Sequence, residues 1–248
     1  MTAFRTRSAA VTDTGRVRTR NEDSILLLDD ARVWAVADGM GGHERGEWAS
    51  AQITTRLHDF APGEFNGNLD QIGALVQRAN RDIVLAARES GAQMGTTVAI
   101  LHVYGENFAV FWVGDSRVYL LRDRQLFRLT KDHSQVQELV DAGALDAAGA
   151  DRHPARNVLT RAVGTTADLS LDAVVDKIEA DDVFLLCSDG LTTMVNDHEI
   201  AAALSLPRLE SVIEKLAAMT LNRGASDNFS IICVACEEAT SVPAGSGT

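Results

Sequence analysis

Five apolar runs, each long enough for a buried strand, meet an aspartate at one end. Val33-Trp34-Ala35-Val36-Ala37 stops at Asp38, and Gly39, Gly41 and Gly42 follow at once. Phe111-Trp112-Val113-Gly114 stops at Asp115, and Val183-Phe184-Leu185-Leu186-Cys187-Ser188 stops at Asp189 with Gly190 next. Asp227 comes just before the run from Phe229 to Cys236, and Asp23 just before Ile25-Leu26-Leu27-Leu28. A desolvated carboxylate is costly unless it is paired or bound to a metal. One Asp-Gly after a strand is an ordinary hairpin turn; the recurrence is what constrains the fold.

If those five strand edges converge, they form an all-oxygen site. Magnesium and manganese favour carboxylates, carbonyls and water over sulfur. The glycines after Asp38 fit this use, because glycine adopts backbone angles closed to other residues and lets the chain approach a ligand closely. A cation there could take the Asp38 side chain and a bared carbonyl together.

The 248 residues suffice for one substantial core and one domain. A net charge of −12, from 23 Lys+Arg against 35 Asp+Glu, argues against a nucleic-acid or anionic-membrane binder. Cys187, Cys233 and Cys236 lie in or at the end of strand-like runs. The Cys233–Cys236 spacing lacks both a following helix start and a second pair, so it reads as two strand cysteines in a reducing compartment. Neither a signal-peptide core nor an apolar stretch of about 20 residues is present, which predicts a soluble, cytoplasmic protein.

Residues 4–12 alternate loosely and predict a first strand, ending at Asp13-Thr14-Gly15. Arg16, Arg18 and Arg20 follow at a spacing of two, which in an extended segment puts them on one face. They form either a solvated edge strand or an arginine set that holds an anion beside the acidic residues. Strands are predicted at 24–28, 32–37, 96–104, 108–113, 117–121, 125–129, 169–175, 183–188 and 229–236. Helices are predicted at 46–60, 69–90, from 131–134 to Gly143, at 197–204 and at 209–221, with a breaker-rich loop at 61–68. His102, inside a strand, reads as a core or surface histidine and not as a ligand. Residues 135–162 read as an excursion from the sheet, and 237–248 as a flexible tail. This order is not the βαβ alternation of a parallel sheet, so the fold class is α+β, with helices covering antiparallel sheets.

The motifs Arg18-x-x-Asn21-Glu22-Asp23, Ala37-Asp38-Gly39-Met40-Gly41-Gly42-His43, Gly95-Thr96-Thr97, Gly114-Asp115-Ser116-Arg117, Cys187-Ser188-Asp189-Gly190-Leu191 and Ser226-Asp227-Asn228 occur in one order. In order and spacing the chain resembles the protein phosphatase 2C (PPM) family, in its compact bacterial branch, from about residue 8 to 236. The resemblance implies a central β-sandwich of two antiparallel sheets flanked by helix pairs, a four-layer αββα arrangement in one domain over 1–236. It implies metal-dependent phosphoserine and phosphothreonine hydrolysis with two, and in bacterial members three, Mn²⁺ or Mg²⁺ ions.

Carried over by motif, Asp38 bridges two ions, the Gly39 carbonyl binds one of them, and Asp189 and Asp227 complete the other. Asp115 with Asp189 matches the third site. Glu22 and Asp23 stand where the family holds metal-bound waters, Arg18 aligns with the phosphate-gripping arginine, and 135–162 corresponds to the flap. Two cations about 3.5–4 Å apart lower the pKa of a shared water and neutralise phosphoryl charge, so no covalent nucleophile, Cys187 included, is required. Where eukaryotic members carry a His directly after Asp-Gly, this chain has Met40, which leaves protonation of the leaving group unassigned. His43 is a candidate for that role, for substrate contact or for packing the turn. A phosphoprotein-binding module without turnover and a two-metal hydrolase of small phosphates are the competing readings. The partners implied are phosphorylated Ser/Thr proteins and a cognate Ser/Thr kinase, with the enzyme a monomer.

Overall fold

The computed structural model describes residues 4–41, 44–150 and 153–238. The strands are β1 (Phe4–Asp13), β2 (Asp23–Leu28), β3 (Val33–Met40), β4 (Gly95–Thr96), β5 (Val98–Tyr104), β6 (Asn107–Val113), β7 (Arg117–Arg122), β8 (Gln125–Arg128), β9 (Asp172–Lys177), β10 (Val183–Cys187) and β11 (Phe229–Glu238). The helices are α1 (Glu44–Leu57), α2 (Phe65–Ser90), α3 (Gln135–Asp141), α4 (Ala147–Ala150), α5 (Asp189–Thr192), α6 (Asp197–Leu204) and α7 (Leu209–Asn222). One sheet runs β2-β3-β5-β6-β9 with β4 on β3, the other β1-β11-β10-β7-β8, and neighbouring strands are antiparallel throughout.

Strand period explains the unbroken apolar runs. In β3, Val33, Ala35 and Ala37 face α1 and α2 and pack with Ile53, Ile72 and Ile83. Trp34 and Val36 point the other way, into the layer between the sheets, with Phe184, Leu186 and Ile232. Beyond the second sheet, Leu185, Cys187, Ile231 and Cys233 pack under Ile200, Val212 and Leu216 of α6 and α7. Three apolar layers therefore separate four layers of structure, the expected αββα sandwich. Both faces of the inner strands are dry, so alternation with polar residues disappears.

The helix boundaries show where tertiary contacts override local propensity. The sequence predicts α2 from residue 69, yet it starts at Phe65 through Asn66-Gly67-Asn68. Asn68 is buried, and its side chain has fixed partners: it accepts the Gly63 N–H at 2.6 Å and meets His102 Nε2 at 3.1 Å. The helix stops at Gly91, whose φ of 64° lets its N–H reach back to Ala87 and Arg88 carbonyls. His102 is a satisfied core histidine, bonded also to the Arg32 carbonyl, and burial lowers its pKa. The last strand of the first sheet begins at Asp172, not at residue 169, because Leu169 is buried in the helix-side core and its carbonyl accepts from Gln77. α5 was not predicted: Asp189, expected only at a strand's end, is the first residue of a single helical turn.

Residues 16–20 form turns and bends, not an edge strand, and all three arginines are exposed. The three cysteines are free and buried. Among the described residues no helix is long and apolar enough to cross a membrane.

Candidate metal centre

Strand register assembles the acidic cluster. β2 and β3 pair so that Asp23 lies opposite Asp38. Asp115 leaves the same sheet just after β6. The second sheet supplies Asp189 and Asp227 from the same end, because Cys187, before one, pairs with Ile231, after the other. The charges of Asp23, Asp189, Asp115 and Asp227 all act on Asp38. Five carboxylates separated by as much as 204 residues in sequence thus share one electrostatic neighbourhood.

The Asp38 backbone is clamped. Its carbonyl accepts from Thr97 N–H and from Thr96 Oγ1, each at 2.9 Å, and its own N–H donates to Thr97 Oγ1 at 3.0 Å. Next to it, Gly39 N–H donates to the Glu22 carbonyl at 3.1 Å. A Cβ on Gly39 would lie 2.1 Å from the Gly46 carbonyl oxygen, and one on Gly46 would lie 1.9 Å from Glu22 Oε2. Gly39 faces backbone and so lets the first turn of α1 close on the strand end, whereas a side chain at Gly46 would displace the Glu22 carboxylate.

The electrostatics are those of like charges held together. Burial and then the surrounding carboxylates hold Asp38 well above the usual carboxylate range. Burial pushes Asp23 up to about 7 against two opposing hydroxyl bonds, Asp115 to about 8 and Asp189 to about 6. Asp23 Oδ2 accepts from Ser188 Oγ and Ser230 Oγ, both at 2.7 Å. Its Oδ1 is buried and has no hydrogen-bond partner among the described residues. At the rim, Arg18, whose side chain is 54% exposed, donates to Asp227 Oδ2 at 2.8 Å. Arg117, beside Asp115, is instead committed to Asp132 at 2.6 Å and to Tyr119 Oη at 3.1 Å.

This donor set fits hard divalent cations. An orphaned buried carboxylate oxygen and a shortage of positive charge are what such an ion would relieve. No three described His, Cys, Asp or Glu side chains close into a complete cage by themselves. Magnesium-type sites do not require that, since they keep several waters and take one or two carboxylates each.

The structure brings together Arg18, Asp23, Asp38, Asp115, Asp189 and Asp227, with Gly39 and Glu22 held against the same strand end. His43 lies outside the described residues. Met40 pairs with Gly95 at the end of β3. Sequence reasoning missed two supports. Asn228 Nδ2 donates to the Thr14 and Arg20 carbonyls and its Oδ1 accepts the Glu22 N–H, which fixes the arginine loop. Ser188 and Ser230 hold Asp23; Asn228 and Ser188 were legible only as neighbours of aspartates. A cavity of about 790 Å³ opens from Asp115 and Asp189 and runs between α3 and the segment Thr192–Asp197. Val136, Gln137, Arg156 and Asn157 form its outer wall.

The chain matches the family model described as protein phosphatase 2C over residues 14–228. It is 37% identical over 229 residues to the serine/threonine protein phosphatase PstP of Mycobacterium tuberculosis (strain ATCC 25618 / H37Rv), covering 91% of this chain and 44% of that protein. The chain therefore spans less than half the length of that relative. It is 35% identical over 235 residues to the serine/threonine phosphatase stp of Listeria monocytogenes serovar 1/2a, covering 90% and 93%. Among solved structures it is similar to the catalytic domain of PstP in complex with two manganese ions, with a TM-score of 0.85, 33% identity and coverage of 95% and 100%. With the motifs, the sandwich and the acidic centre all in agreement, this chain belongs to the protein phosphatase 2C family.

Proposed function

We propose that the chain is a metal-dependent protein-serine/threonine phosphatase that removes phosphate from proteins marked by Ser/Thr kinases in the cytoplasm. The observation that carries this reading is the convergence of five carboxylates from both sheets on one centre, where Arg18 pairs with Asp227 alone and Arg117 is committed to Asp132. Family membership and the manganese complex of PstP support it. Bound Mn²⁺ or Mg²⁺ supplies a nucleophilic water at neutral pH and neutralises charge on the phosphoryl oxygens.

The chain's own residues do the rest. Asp38 and the Gly39 carbonyl would hold the ions from the first sheet, and Asp189 and Asp227 would hold them from the second. Asp115 with Asp189 would hold a further ion, and Glu22 and Asp23 would hold metal-bound waters. Arg18 stays charged, its pKa raised by its bond to Asp227, and grips the phosphoryl group from the rim. Met40 has no proton to give, so the departing serine or threonine oxygen is protonated by another group. The cavity beside Asp115 receives the chain flanking the phosphoresidue.

Hydrolysis of a phosphothreonine peptide with Mn²⁺, with Mg²⁺ and with EDTA tests this, alongside Asp38→Asn and Asp189→Asn. Activity that needs metal and drops to background in both variants is expected. A folded wild type that binds the peptide but is inert with either metal would instead favour a phosphoprotein-binding module.

A further inference from the structure

One buried histidine joins the excursion at 135–162 to the acidic centre. His133 is 7% exposed, and its ring stacks on Trp112 at 6.2 Å between centroids and 16° between planes. It grips Gly114 twice: its backbone N–H donates to the Gly114 carbonyl at 2.9 Å, and its Nδ1 accepts the Gly114 N–H at 3.0 Å. Because Nδ1 is an acceptor, the ring proton lies on Nε2, which donates to Asp172 Oδ2 at 3.2 Å. Burial and then the charge of Arg161 lower its pKa, which keeps the ring neutral.

Two features make this contact consequential. Gly114 has a φ of +103°, and a Cβ there would lie 2.6 Å from Thr97 Cγ2, so it has no side chain by which the loop could be anchored. Its N–H is buried, and His133 Nδ1 satisfies it. The same histidine is the stem of the excursion: Thr160 N–H donates to the His133 carbonyl at 2.8 Å, and Gln135 N–H to the Val158 carbonyl at 2.9 Å. Outgoing and returning chains are thus zipped together where they meet the Gly114-Asp115 turn.

We propose that His133 is a positioning residue whose Nδ1, by holding the Gly114 N–H, aims the Asp115 carboxylate and couples ion binding there to the excursion that walls the cavity. The proposal rests on the reading of Asp115 as a metal ligand given above. Residues that orient ligands from outside the first coordination sphere typically change metal affinity 10–100-fold when lost.

Two isosteres separate positioning from general packing. In His133→Asn the amide Oδ1 falls where Nδ1 lies and keeps the acceptor for Gly114. In His133→Gln the amide reaches the Nε2 position, keeps the Asp172 contact and loses the Gly114 acceptor. Mn²⁺ titration by calorimetry, thermal melting, and kcat and KM on a phosphothreonine peptide are read for each. His133→Asn is expected to hold its weakest Mn²⁺ affinity within about threefold of wild type, and His133→Gln to lose about tenfold, at similar melting temperatures. Equal losses in both, tracking the melting temperature, or an unaltered His133→Gln, overturn the proposal. Asp115→Asn titrated in parallel tells the two failures apart: if it binds Mn²⁺ as wild type does, Asp115 is not a ligand and the proposal falls with that reading.

Should the glutamine variant not fold, the wild type decides by NMR. The Gly114 amide and His133 Nδ1 resonances are expected to shift together with the weakest step of a Mg²⁺ titration, and their failure to move would refute the coupling.

Discussion

Thr97 Oγ1 lies 2.6 Å from Ser116 Oγ and accepts the Asp38 N–H at 3.0 Å. A single threonine hydroxyl therefore joins the strand end that carries Asp38 to the turn that carries Asp115, with all participating hydroxyls buried. Together with His133 on the other side of Gly114, it fixes the Asp115 turn from both flanks.

Thr97→Val keeps the shape and removes that hydroxyl. The buried Asp38 N–H and Ser116 Oγ lose their partner, at a cost of about 1–3 kcal/mol. We expect a lower melting temperature and a higher Mn²⁺ requirement in the peptide assay, with Thr97→Ser restoring most of both. Wild-type metal dependence in the valine variant would show that the bridge does not position Asp38.

The metal-free protein should be more stable in mild acid than at neutral pH. Asp23, Asp189 and Asp115 titrate near 7, 6 and 8 in the fold, all above the carboxylate value of an unfolded chain. Between about pH 4 and 8 the folded state therefore binds more protons than the unfolded state, so stability falls as pH rises through this window. Melting in EDTA across pH 5 to 8 checks it, and saturating Mn²⁺ should flatten or reverse the slope. An EDTA melting temperature that rises steadily with pH would contradict the clustering.

Removing metal ligands should stabilise the empty protein. Asp38 is opposed by four other carboxylates, so Asp38→Asn relieves repulsion while disabling the site. The variant is expected to melt higher than wild type in EDTA and to gain less from added Mn²⁺. Differential scanning calorimetry with and without metal reads both effects.

Far from the site, Arg122 holds the fully buried Asp182 through Nη2–Oδ2 at 2.6 Å and Nε–Oδ1 at 2.8 Å. Arg122→Ala leaves that carboxylate the Glu179 N–H at 2.9 Å but removes its ion pair, a loss of about 1–3 kcal/mol. In a protein of this size that lowers the melting temperature by about 2–4 °C per kcal/mol. kcat and KM at 25 °C should be unchanged, which separates this stability pair from the acidic centre.

Native alkylation should leave activity intact. Burial pushes the Cys187 thiol up to about 12, and Cys233 and Cys236 are raised by the same cause, so the thiolate is scarce at neutral pH. Iodoacetamide is expected to modify all three only after denaturation, as counted by mass spectrometry; rapid native loss of activity on alkylation would contradict a metal-only mechanism.

Much of this protein is set locally and so is legible in the sequence. The runs around Trp34, Trp112 and Leu185 are apolar on both faces because each lies between a helix layer and the other sheet, and their aspartates mark where that burial ends. The ligand candidates Asp38, Asp115, Asp189 and Asp227 could be listed for that reason alone. Only the tertiary structure decided which groups meet. The pairing of Asp23 with Asp38 depends on strand register, and the hydroxyls of Ser188 and Ser230 reach Asp23 across both sheets. The early start of α2 at Phe65 and the two-sided hold of His133 on Gly114 come from partners 34 and 19 residues away. Periodicity reports whether a side chain is buried, because burial repeats along one element. It carries no record of the hydrogen bonds between elements, because those are fixed by how distant strands pack.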